Sequence, residues 1–136
     1  MTPVVVQLNL IVADLDRSHR FYQRLGVEFI PRNRMGAGPA EAWVSVGTGI
    51  TVVLHSTGFA HWWDESAPQP VAGGAQMDLQ VDSPERLDAL VAAIAADGGV
   101  VIKPPADMPW GQRFAVVADP DGYRVGLKAE RDSSGA

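Results

Sequence analysis

Polar and apolar residues alternate in two stretches about seventy residues apart. In residues 6–14, VQLNLIVAD, the amides Gln7 and Asn9 alternate with Val6, Leu8, Leu10 and Val12. In residues 75–83, AQMDLQVDS, Gln76, Asp78 and Gln80 alternate with Met77, Leu79 and Val81. A period of two marks a strand with one covered face. Glutamine and asparagine are poor strand formers and costly to bury without partners. The polar face of each strand therefore meets water or lines a space.

Each stretch runs into a helical pattern. After Asp14, LDRSHRFYQRLG places Leu15, Phe21, Tyr22 and Leu25 on an apolar stripe that stops at Gly26. After the N-cap Ser83, PERLDALVAAIAADGG starts with a proline and stops at Gly98. Its Leu87, Leu90, Val91, Ile94 and Ala95 carry the spacing of a buried helix face. Short strands follow, VEFI in one case and VVIK in the other. Hairpins then turn at Gly47–Gly49 and at the Asp-Pro-Asp-Gly run of residues 119–122. The chain thus reads strand–helix–strand–strand–strand twice, an α+β architecture of two tandem βαβββ modules. Their expected bounds are about 3–56 and 75–128, with a linker over 57–74 and a flexible polar tail over 129–136.

Strand parity sets the faces. Ile50, Val52 and Leu54 oppose Thr51, Val53 and His55, and Tyr123, Val125 and Leu127 oppose Arg124, Gly126 and Lys128. Trp43 and Ser45 are assigned to the polar face, opposite Ala42, Val44 and Val46. Two such sheets, each with its helix outside, would enclose a cup lined by Gln7, Asn9, Gln76, Asp78 and Gln80.

Composition removes several classes of function. The net charge is −5 and the basic residues are scattered, so no nucleic-acid face is expected. No apolar run nears the length of a membrane span, and no secretory signal is expected from the N-terminal residues. The chain has no cysteine, which fits a reducing cytoplasm and excludes cysteine–metal sites and disulfides.

The stretches LNLIVADLDRSHRFYQRLGVEF and DPDGYRVGL resemble the vicinal oxygen chelate superfamily, the group of glyoxalase I, extradiol dioxygenases and bleomycin-resistance proteins. The resemblance spans nearly the whole chain. It implies a single glyoxalase/bleomycin-resistance-like domain over residues 3–128, whose paired modules form a cup, and a homodimer. It also implies a metal ligand on the first strand of each module and a carboxylate on the last. Those positions hold Gln7, Gln76, Val53 and Gly126 here. Valine and glycine donate nothing to a divalent ion. Neither metal nor other cofactor is therefore expected.

The run PWGQRFAVVADPDG further resembles the last module of bleomycin- and mitomycin-resistance proteins, which bind a drug without transforming it. Position by position this brings in Trp110, Gln112 and Arg113. Trp62 and Trp63 of the linker enter by their chemistry alone, because indole faces stack on flat or cationic ligands at about 0.5–2 kcal/mol per contact. The candidate ligand-binding set is then Gln7, Asn9, Trp43, His55, Trp62, Trp63, Gln76, Asp78, Trp110, Gln112 and Arg113. No catalytic residue is assigned. The expected function is metal-free binding of a planar or cationic small molecule, an antibiotic or other natural product. The alternatives are a glyoxalase- or dioxygenase-type enzyme with a rebuilt or absent metal site, an acid–base catalyst using His55 and Asp78, and a partner-binding scaffold.

Overall fold

The structure, a computed structural model, describes residues 2–32, 42–47, 49–72 and 75–131. The chain divides into two compact units between Val71 and Ala72.

Unit one contains β1 (Gln7–Val12), α1 (Leu15–Arg24), β2 (Phe29–Arg32), β3 (Ala42–Ser45), β4 (Thr51–Ser56) and α2 (Thr57–Trp63). Its sheet has the order β1-β4-β3-β2, with β1 parallel to β4 and the other pairs antiparallel. Unit two contains β5 (Gln76–Gln80), α3 (Pro84–Ala96), β6 (Val100–Asp107), β7 (Gln112–Ala118) and β8 (Arg124–Glu130). Its sheet repeats the arrangement as β5-β8-β7-β6. The α+β, two-module architecture read from the repeat is the one the chain adopts.

Both long helices begin where their caps dictate. Asp14 Oδ1 accepts the Arg17 N–H at 3.1 Å, and Ser83 Oγ accepts the Arg86 N–H at 3.1 Å. Such caps contribute about 1 kcal/mol each. The inner face of α1 buries Ser18 and Tyr22, and Tyr22 tilts onto Phe29 with ring centroids 5.9 Å apart. Helix α3 packs on β6, β7 and β8 and buries Leu87, Leu90, Val91 and Ile94. Each such side chain contributes about 1.5–3 kcal/mol when fully buried.

The turn between β7 and β8 is held by its own first residue. The Asp119 carboxylate is buried and accepts the N–H groups of Asp121 and Tyr123, both at 2.9 Å. Gly122 supplies the left-handed backbone there, with φ of 87°. Strand β6 runs four residues past the expected VVIK and passes through Pro104 and Pro105. It tolerates them because it is an edge strand whose register shifts twice against β7.

Two further boundaries differ from the sequence reading. The linker opens with a helix: Ser56 Oγ accepts the Phe59 N–H at 3.0 Å and starts α2, which packs on β4 and β1. The last strand continues to Glu130, inside the tail expected from 129, because Ala129 is fully buried on the helix side. Of the hairpin turn at residues 47–49, Thr48 lies outside the described residues, as do linker residues 73 and 74 and the tail from 132 onward. Among the described residues no helix is long and apolar enough to cross a membrane.

Candidate functional site

Register decides which side chains share a face. Ala42 stands opposite His55, Trp43 opposite Leu54, and Val44 opposite Val53. Directly paired residues project to the same side of a sheet. Asn9 pairs with Val53 and Ile11 with His55, so Gln7, Asn9, Val53, His55, Ala42 and Val44 share one face. Leu10, Val12, Leu54 and Trp43 share the other, under α1.

Trp43 therefore lies on the opposite side from that expected of it. Its ring stacks on His19 of α1, with centroids 4.0 Å apart and planes 14° from parallel. The alternation of β3 is ambiguous because both faces carry apolar residues, and the flat ring of His19 draws the indole inward. Ser45 goes with it, and its Oγ accepts the Val52 N–H at 2.8 Å. Neither shares a face with His55.

On the face away from α1, unit one carries a pocket of about 350 Å³ lined by Gln7, Arg32, Ala42, Val44, Val53, His55, Phe59 and Trp63. Helix α2 builds its aromatic wall. Phe59 and Trp63 are four residues apart and so lie on one side of the helix. The His55 ring sits 5.1 Å from Phe59 and 6.0 Å from Trp63, edge-on to the latter. Trp62 lies parallel to Phe59 with ring centroids 6.1 Å apart and is 64% exposed.

His55 is the unusual member. It is 6% exposed, and its buried Nδ1 has no hydrogen-bond partner among the described residues. An orphaned polar atom of this kind costs about 1–3 kcal/mol. Burial pushes the imidazole pKa below its ordinary value, so the ring is neutral at physiological pH. A neutral imidazole offers one donor and one acceptor nitrogen. At the rim Gln7 donates from Nε2 to Asn9 Oδ1 at 2.6 Å.

The second-module candidates divide in the same way. Gln76 and Asp78 are exposed on the face of β5 away from α3, with Gln76 Nε2 donating to Asp78 Oδ1 at 3.0 Å. Gln112 shares that face; its Nε2 donates to Glu130 at 2.6 Å, while its Oε1 accepts the indole N–H of Trp110 at 3.2 Å. Trp110 is 67% exposed. Arg113 points the other way. Its Nε and Nη1 donate to Asp88 of α3 at 2.7 Å and Asp107 of β6 at 3.0 Å, and Asp88 foremost raises its pKa. It ties the helix to the sheet and does not line the face of Gln76.

Gln7, His55 and Trp63 are thus the sequence-derived candidates that meet in one pocket, with Asn9 beside Gln7. Arg32 and Phe59 were not among them. Phe59 is legible in retrospect, from the Ser56 cap and its four-residue spacing to Trp63.

The metal implied by the family resemblance does not fit the donors present. In unit one, Gln7 faces the strand that carries Val53, and in unit two the position opposite Asp78 is Gly126. Among the described residues no three His, Asp or Glu side chains converge as ligands.

Comparison with known proteins agrees with the fold. Residues 4–127 match the model of the Glyoxalase/Bleomycin resistance protein/Dioxygenase superfamily. A hypothetical protein from S. aureus superposes with a TM-score of 0.73 at 24% identity, covering 95% of each chain. A glyoxalase-related enzyme from Fulvimarina pelagi gives 0.75 at 22% identity, over 95% of this chain and 89% of that one. A lactoylglutathione lyase from Agrobacterium tumefaciens gives 0.64 at 16%, over 94% of each. At these identities the likeness is one of fold. No curated protein matches.

Proposed function

Because the chain belongs to the glyoxalase/bleomycin resistance protein/dioxygenase superfamily, we propose that it uses the scaffold without a metal, to bind and sequester a planar small molecule of the antibiotic or natural-product kind. The observation that carries this reading is the pocket that Phe59 and Trp63 wall beside His55. The volume of about 350 Å³ suits a fused-ring compound. Stacking supplies affinity, and Gln7 with His55 sets orientation. The homodimer implied by the family is part of the same proposal; exposed Val4, Val5 and Val6 next to edge strand β1 support it, and sedimentation tests it.

The test is calorimetric titration of a panel of planar natural products against the wild type and Trp63→Ala. A saturable heat in the wild type that weakens about tenfold in the variant is the expected result. Absence of any binder at micromolar concentration overturns the proposal.

A second reading rests on the same histidine. A neutral, desolvated imidazole in a pocket is poised as a general base. Turnover of any superfamily substrate class by metal-free protein, lost in His55→Gln, would favour it over sequestration.

A further inference from the structure

The charged groups around the pocket restrict the guest further. Arg32, at the end of β2, carries the lining's positive charge, and no carboxylate lines the pocket among the described residues. His55 is kept neutral by burial and adds no compensating charge. The remaining lining is alanine, valine, phenylalanine, tryptophan and one amide. A net charge of −5 for the chain would by itself favour a cationic guest, but this lining holds the opposite sign. Arg32 is exposed at the rim, and at short range its charge outweighs the distant ones, which salt screens.

We infer that the guest is a flat aromatic anion, a carboxylate or phenolate, with its ring along Phe59 and Trp63 and its charged end on Arg32. This rests on the pocket being the ligand site. The guanidinium is planar and presents paired donors that match a carboxylate edge. The hydrogen bond from its Nη1 to Pro31 O is long at 3.4 Å, so donors remain for a ligand. A cation in the same place would sit beside Arg32 with no carboxylate to offset the repulsion.

Three isosteric probes separate the possibilities: 1-naphthoate, 1-naphthalenemethanol and 1-naphthylmethylammonium. Binding is read from the ring signals of His55 in NMR titrations carried to millimolar probe. The expected order is naphthoate tightest, by about tenfold over the ammonium probe. Arg32→Gln is expected to remove about tenfold from naphthoate affinity and leave the alcohol unchanged within about twofold. The alcohol or the ammonium probe binding as tightly as naphthoate in the wild type would overturn the anion assignment, and that comparison needs no variant. An Arg32→Gln protein that holds naphthoate as well as the wild type would overturn it too. If none of the three moves the His55 signals, the pocket is not a ligand site, and the proposal beneath fails with the inference.

Discussion

The carboxylate of Asp78 lies over Gly126, in the space that a Cβ on that residue would fill. The two are register partners across the parallel pair of β5 and β8. Gln76 completes the arrangement by donating to Asp78, as Gln7 donates to Asn9 in the first module. There the partner of Asn9 is Val53, whose side chain is buried in the pocket lining. Equivalent positions of the repeat have thus diverged, one giving its space to a carboxylate and the other filling it with a methyl-bearing side chain.

Glycine inside a strand ordinarily costs about 0.5–1 kcal/mol relative to alanine. Gly126→Ala should nevertheless leave stability about unchanged, because Asp78 must swing away and lose Gln76, which offsets that gain by about 1 kcal/mol. In an Asp78→Ala background the same change should become stabilising. Urea midpoints of the four proteins of this double-mutant cycle measure the coupling, and additive effects would show that Asp78 does not require the glycine.

His55 predicts a pH dependence of stability. Its folded pKa is lowered by burial, so the unfolded chain takes up a proton that the folded chain refuses. The stability contribution is therefore fully present and level above the ordinary histidine value, and is lost as pH falls through it. His55→Phe should shrink the difference in urea midpoint between pH 5.5 and pH 8. At pH 8 the variant should be as stable as the wild type or more so, since the unpaired Nδ1 is gone. An unchanged pH dependence would place the histidine in a solvated site.

Trp43 and Arg113 should matter for folding and not for binding. Trp43→Ala removes the stack on His19 and is expected to cost about 2–3 kcal/mol. Arg113→Ala releases α3 from β6 at partly exposed ion pairs, worth up to about 1 kcal/mol and less at high salt. Calorimetry on each variant should return the wild-type affinity for whatever compound binds. A tenfold loss in either would put that residue back in the ligand site.

The repeat, the caps at Asp14 and Ser83, the α3 stripe and the Asp119 turn were legible in the sequence, because each depends on neighbours a few residues away. The faces of Gln7, Asn9, His55, Gln76 and Asp78 were legible too, from clean alternation of polar with apolar. Trp43 was not, since β3 is apolar on both sides and its parity is fixed by register with β4. Arg113 was misplaced by motif position, which ignores that its strand alternation points it at Asp88. The pocket itself depends on α2, a seven-residue helix held by its Ser56 cap and by packing on β4 and β1, inside a segment that reads as a loop. Arg32 enters only because β2 pairs with β3 in the register that puts it opposite Ala42.

The central claim is that the space beside His55 and Trp63 is where the ligand binds. Tryptophan fluorescence of the wild type and of the Trp43→Phe, Trp63→Phe and Trp110→Phe variants, titrated with one planar compound, tests it most directly. The account predicts saturable quenching in the wild type, Trp43→Phe and Trp110→Phe, and its loss in Trp63→Phe. Quenching that survives in Trp63→Phe but disappears in Trp43→Phe or Trp110→Phe would contradict it.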